Sequence, residues 1–214
     1  MKKKYILFDL DGTLTDSQEG ILNSIEYALK HYGIVVEDRS ALRPFLGPPL
    51  TDSMRQYCGF DGEKAFAAVE KFREYYNTKG LFENRVYAGV EDMLKSLKAK
   101  EHRLFVATSK PEETARRILE HFQLNHYFEY IGGATADDSR VKKADVVSYV
   151  LETARISDRE AAVMVGDRRH DVMGAKQNGL QSVGVLYGYG DREELQTAGA
   201  DYLAETPAEI LRIL

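Results

Sequence analysis

The stretch YILFDLDGTLTDS, residues 5–17, decides the reading of the whole chain. Tyr5 to Phe8 form an apolar run that ends directly in Asp9, and Asp11 follows two residues later. Two carboxylates this close repel, and burial beside apolar residues makes each charge costlier. Either one of them is solvated and idle, or something positive belongs between them. Gly12 makes a turn after Asp9 cheap, which lets both carboxylates serve one site.

Working outward, the 214 residues are 43% apolar and 29% charged, ordinary for a globular protein with a good core. A net charge of −5 argues against a nucleic-acid polymer as partner. The single Cys58 rules out a disulfide framework within the chain and fits a reducing cytoplasm. No apolar run approaches the length of a membrane span, so no membrane partner is expected. The apolar run after MKKK is too short for a signal peptide, and Lys2 to Lys4 read as a solvated chain end. No heptad or apolar stripe demands a protein partner.

Further apolar runs follow at 103–108, 130–133, 162–166 and 182–188. They read as buried strands, most of them separated by helical patterns. Ala115, Ile118, Leu119 and Phe122 fall on one helical face, and Val146, Val147, Val150 and Leu151 on another. Strands alternating with helices predict an α/β fold, a doubly wound, Rossmann-like parallel sheet covered on both faces. The alternation breaks between Asp16 and about Asn84, where only helices are expected. Asp16 and Glu19 have the spacing of a capping box, and Gly33 suits the end of that helix. A second helix is expected from Gly62 to Gly80, with Phe66, Val69 and Phe72 on its apolar face. The division is therefore a core of residues 1–15 and 86–214 and a helical cap of residues 16–85.

Ligands of open parallel sheets bind beyond the carboxyl ends of the strands. The residues there are Asp9 and Asp11, then Thr108 and Ser109, then Gly166 and Asp167 with Asp171 four residues on. Lys142 and Lys143 precede a helix. Four carboxylates at one edge need compensation, and a hard divalent cation with oxygen ligands, Mg2+, is the economical answer. Hydroxyls, a lysine and the Gly12 backbone N–H would then hold phosphate oxygens. Asp9 is placed as a carboxylate nucleophile and Asp11 as the acid and base.

These residues resemble the haloacid dehalogenase superfamily. Asp9 to Leu14 match its Asp-x-Asp-Gly-Thr-Leu motif, Thr108 its hydroxyl, Lys143 its lysine with Lys142 as rival, and Gly166, Asp167 and Asp171 its Gly-Asp-x-x-x-Asp motif. The resemblance spans nearly the whole chain. It implies an aspartyl-phosphate mechanism with Asp9 as nucleophile and magnesium ligand, and Asp11 as acid/base and a backbone-carbonyl ligand. Asp167 would be the third ligand, Asp171 a support behind it, and Thr108 and Lys143 the phosphoryl grip. The nearest likeness is to phosphoglycolate-phosphatase-like and 5′-nucleotidase-like phosphatases. That implies a phosphoric monoester hydrolase of a small-molecule phosphate ester: a nucleoside monophosphate, phosphoglycolate or a sugar phosphate. RVKKADV stands where phosphoglycolate phosphatases carry Lys-Pro. A phosphomutase of the superfamily and a phospho-aspartate receiver are the alternatives. Receivers lack a helical insertion and place the acceptor aspartate on a later strand.

Weaker features have plainer readings. Ser109 is expected to cap a helix as well as to border the phosphate. Arg168, Arg169 and His170 read as a solvated turn, Arg43 as a surface residue, and YGYG, residues 187–190, as a flexible loop after the last strong strand, with a place at the border of the site as its alternative. The five histidines show no zinc spacing.

Overall fold

The computed structural model describes residues 3–135 and 139–214. Strand β1 (Tyr5–Phe8) lies in the middle of a six-stranded sheet of order β5-β4-β1-β6-β7-β8, parallel throughout. Its neighbours are β4 (Arg103–Pro111) and β6 (Ala162–Gly166), with β5 (Tyr130–Ala134) beyond the first and β7 (Gln181–Val185) and β8 (Tyr202–Ala204) beyond the second. The in-register pairs Leu7–Phe105 and Leu7–Met164 tie the centre together. Ile6, Leu7 and Phe8 are fully buried, as expected of a strand covered on both faces.

On one face Leu7, Phe105, Ala107 and Met164 pack with Val146, Val147, Val150 and Leu151 of α6 (Lys143–Thr153) and Ala175 of α7 (Arg169–Gln177). The remaining core helices are α4 (Val90–Ala99), α5 (Glu112–His121), α8 (Arg192–Ala198) and α9 (Pro207–Ile213). The doubly wound expectation is met. The C-terminal β8, α8 and α9 were not foreseen, and β7 stops at Val185 rather than running to Gly188.

Two compact units emerge: the residues up to Asp16 with Val86–Leu214, and Ser17–Arg85. The short strands β2 (Thr15–Asp16) and β3 (Arg85–Val86) pair where the chain passes from one to the other. The second unit is helical, with α1 (Gln18–His31), a 3-10 turn at Arg39–Phe45, α2 (Leu50–Cys58), α3 (Gly62–Tyr75) and a π turn at Tyr76–Gly80. Leu22, Ile25, Ala28 and Leu29 of α1 and Ala65, Ala68, Val69 and Phe72 of α3 are its buried faces.

Several local expectations are corrected. Asp16 belongs to β2, and Ser17 rather than Asp16 takes the cap position of α1. Gly33 does end α1, in the left-handed region, with its N–H on Lys30 O and that of Ile34 on Leu29 O. Phe66 is 55% exposed, with the Arg55 guanidinium over its ring, because the buried stripe runs through Ala65 and Ala68 instead. Lys3 is buried, its ammonium on the Glu160 carbonyl, and burial pulls its pKa down. Lys4 is exposed, and Lys2 lies outside the described residues.

Truncating the two phenylalanines separates core from surface. Phe105→Ala should cost about 3–5 kcal/mol. Phe66→Ala should cost less than about 1 kcal/mol. Denaturant unfolding followed by circular dichroism measures both, and comparable losses would contradict the packing described.

Candidate active site

β1 and β6 carry Asp9 and Asp167 to the same edge of the sheet. Asp9 N–H still donates to Val165 O at 2.9 Å, and the chain then leaves the sheet. A tight turn follows, in which Leu10 O accepts the N–H groups of Thr13, Leu14 and Thr15. Gly12 N–H donates to Thr15 O at 2.8 Å, so the turn itself consumes the donor that was expected to hold phosphate. What Gly12 supplies is space and a φ of +79°: a Cβ there would lie 2.1 Å from Asp167 Oδ2.

Asp9, Asp167 and Asp171 are buried, and one carboxylate oxygen of each lies within 4.8 Å of the others. Lys143, at the start of α6, is the cation among them. Its Nζ reaches Asp9 Oδ1 and Asp171 Oδ1 at 2.8 Å each and Ala107 O at 3.1 Å. Two ion pairs and one hydrogen bond thus surround the ammonium, an arrangement that orients Asp9. Lys142 is exposed, so the buried lysine of the pair is Lys143. Leu10 N–H gives Asp9 Oδ1 a second donor at 2.7 Å.

The electrostatics follow from burial. Desolvation pushes the Asp9 carboxyl up; Lys143 pulls it partly back, and the Asp171 charge pushes it up again. Desolvation, then Asp171 and Asp9, hold Asp167 well above the carboxylate range. Burial works against the Lys143 ammonium, but the Asp171 and Asp9 charges outweigh it and raise the group overall.

Asp171 is bound at both oxygens, to Lys143 and, through Oδ2, to Arg168 N–H at 3.0 Å. Arg168 is no solvated turn residue: its Nε bonds Glu194 Oε1 at 2.9 Å, and Arg169 N–H reaches the same oxygen at 2.8 Å. Thr108 is buried within β4, and its Oγ1 accepts Lys110 N–H at 3.2 Å. Ser109 is half-buried and caps nothing, since β4 continues to Pro111 and α5 starts at Glu112.

Lys110 was not foreseen as part of the site. Lys110 Nζ lies 2.7 Å from Asp11 Oδ2, and the lysine side chain is only 7% exposed. The loop 187–190, read as flexible, closes over Asp167. Tyr189 N–H donates to Asp167 Oδ2 at 2.8 Å, and Thr13 Oγ1 lies 3.4 Å from Oδ1. A Cβ on Gly188 would fall 2.4 Å from Asp167 Cβ, and one on Gly190 would fall 2.1 Å from Asp167 O. The paired glycines of YGYG were the signal of a close approach.

The donors fit a hard divalent cation. Three buried carboxylates against one lysine leave two negative charges, the charge of one such ion. All the candidate ligands are oxygens. Asp9, Asp167 and Asp171 all bring a carboxylate oxygen to this point, Asp171 while pairing with Lys143 and accepting the Arg168 N–H.

This edge has relatives. The chain matches the family of haloacid dehalogenase-like hydrolases over residues 6–185. It belongs to that family. A 5′-nucleotidase of Pseudomonas aeruginosa is 40% identical to it, over 98% of this chain and 94% of that protein. The tyrosine-protein kinase PtkA of Mycobacterium tuberculosis is 44% identical over 86% of this chain, which spans 62% of the kinase. The crystal structure of a predicted phosphatase from Clostridium acetobutylicum superposes with a TM-score of 0.95 at 47% identity, covering 100% of this chain and 98% of that one. The phosphatase-like hydrolase fold read from the motifs is therefore the fold of the chain.

The raised carboxyls make a stability prediction. With folded-state values above the ordinary carboxylate value of about 4, the native state binds the extra protons. Their favourable contribution is complete below that value and is lost as pH rises through the folded-state values. Metal-free protein should therefore melt lower at pH 8 than at pH 5.5. Asp167→Asn should flatten this slope and raise the pH 8 midpoint by a few degrees, about 2–4 °C per kcal/mol. Thermal melts with a chelator check both, and an unchanged slope in the variant would count against the assignment.

Proposed function

We propose that this haloacid dehalogenase-like hydrolase is a magnesium-dependent phosphatase that cleaves a small phosphate monoester through an aspartyl phosphate on Asp9. The observation that carries this reading is the buried Asp9–Lys143–Asp171 arrangement beside Asp167. It orients one carboxylate and leaves the charge of one divalent cation to be supplied. Asp9, Asp167 and the Asp11 backbone carbonyl would hold that ion, which when bound polarises phosphoryl oxygens and offsets their charge.

Lys143 and Leu10 N–H hold Asp9 Oδ1, so the carboxylate meets phosphorus in a set orientation. Asp9 attacks, the bond from phosphorus to the leaving oxygen breaks, and Asp11 gives that oxygen a proton. Asp11 then takes a proton from water. The resulting oxygen attacks phosphorus and releases Asp9 and phosphate. Thr108, buried two residues before Lys110, is assigned to a phosphoryl oxygen, and Ser109 to the rim beside it. The helical unit, inserted directly after the turn that carries Asp11, is assigned the part of a substrate-selecting cap.

A panel of nucleoside monophosphates, phosphoglycolate and sugar phosphates, with and without Mg2+, tests the reaction class. At least one ester should turn over in a metal-dependent way. Asp9→Asn should reduce that turnover by roughly a thousandfold or more, with the melting profile kept. Asp11→Asn should slow it by about 10²–10⁴. Full metal-dependent activity in Asp9→Asn would remove the nucleophile assignment.

A further inference from the structure

The Lys110–Asp11 pair is not used by the mechanism above, yet it is among the most buried charged contacts at this edge. β4 and β5 lose register between Ala107 and Pro111: four residues of β4 advance while β5 advances only from Gly132 to Ala134. Thr108 to Lys110 thus stand against Gly133 alone, two residues more than the partner strand supplies, and bulge from the sheet. Thr108 Oγ1 accepts the Lys110 N–H within this bulge, at 3.2 Å. The bulge therefore aims the lysine at the turn after β1 rather than along the strand.

A lysine side chain with 7% exposure requires an anion, and Asp11 Oδ2 at 2.7 Å is that anion. The contact occupies one carboxylate oxygen only. Asp11 Oδ1 is buried and has no hydrogen-bond partner among the described residues. A buried acceptor without a donor is costly and calls for a partner. The lysine thus fixes the carboxylate plane and leaves Oδ1 as the working oxygen.

We propose that Lys110 is a positioning residue for the acid/base: it holds Asp11 by Oδ2 so that Oδ1 faces the leaving-group oxygen. The proposal rests on the phosphatase reading. Its consequence is selective, because only a leaving group that needs a proton depends on where Oδ1 points. A nitrophenolate departs without one, whereas an alkoxide does not.

The test compares Lys110→Met and Lys110→Arg with the wild type on p-nitrophenyl phosphate and on an alkyl phosphate ester from the panel that the wild type cleaves. The quantity is kcat/KM, which reports the steps up to leaving-group departure, so hydrolysis of the phosphoenzyme cancels. Lys110→Met should lose at least about tenfold more on the alkyl ester than on the aryl ester, a part of the ~10²–10⁴ a placed acid contributes. Lys110→Arg, which keeps the charge, should recover most of that difference. Equal losses on both esters would make Lys110 a phosphate or folding residue and overturn the proposal, as would no loss at all. Melting curves of both variants separate misfolding from mispositioning. A wild type inactive on every ester with Mg2+ would overturn the phosphatase reading itself and this proposal with it.

Discussion

Three buried carboxylates and one buried ammonium share the edge of a parallel sheet, and the surrounding structure is arranged around that imbalance. Asp9, Asp167 and Asp171 cannot all be charged there at low cost, and the raised values of Asp9 and Asp167 express it. The protein spends several features on keeping them together. β1 and β6 are neighbours in the sheet, which brings their terminal acids side by side. Lys143 bonds two of the acids and the end of β4 at once. Gly166 lies so close to Asp171 that a Cβ would fall 2.2 Å from its carboxyl carbon. Buried ionic clusters are weak evidence of stability, since apolar residues of like volume often serve as well or better.

The two aspartates of FDLDG are separated by their partners rather than by distance along the chain. Each has its own lysine: Lys143 from the start of α6 for Asp9, and Lys110 from the bulge of β4 for Asp11. The environments differ in kind. Asp9 shares its lysine with a second carboxylate, whereas the Asp11 side chain is 21% exposed and meets Lys110 through Oδ2. Two carboxylates two residues apart can take different chemical parts only if their surroundings differ in this way.

The sequence displayed the catalytic edge well because each acid ends an apolar strand, and strand ends of a parallel sheet converge. Asp9, Thr108 and Asp167 are legible for that reason alone. Lys110 was not, because Ser109-Lys110-Pro111 has the look of a helix start. A register shift between two paired strands is a property of the pair, invisible in either one. Gly12 was read as a phosphate donor because glycine signals an accessible backbone; its N–H is instead spent on Thr15 within the turn. The C-terminal β8 and α9 escaped notice for a plainer reason. A three-residue strand and a seven-residue helix are too short to show a period.

The YGYG loop shows how far the geometry of one acid extends. Tyr189 N–H fixes Asp167 Oδ2, while the Tyr189 hydroxyl reaches Asp16 Oδ1 at 3.3 Å and the Tyr187 hydroxyl reaches Thr13 O at 3.1 Å. Burial and the Asp167 charge both push the Tyr187 phenol up, so it stays a donor and keeps its bond to Thr13. One four-residue loop thus grips the buried acid and, at the same time, the segment 13–16 through which the chain leaves the core. The glycines at 188 and 190 are what allow the loop to lie this close, since a side chain at either would push directly on Asp167. The position of the buried acid and the posture of the exit segment are therefore set by the same few contacts.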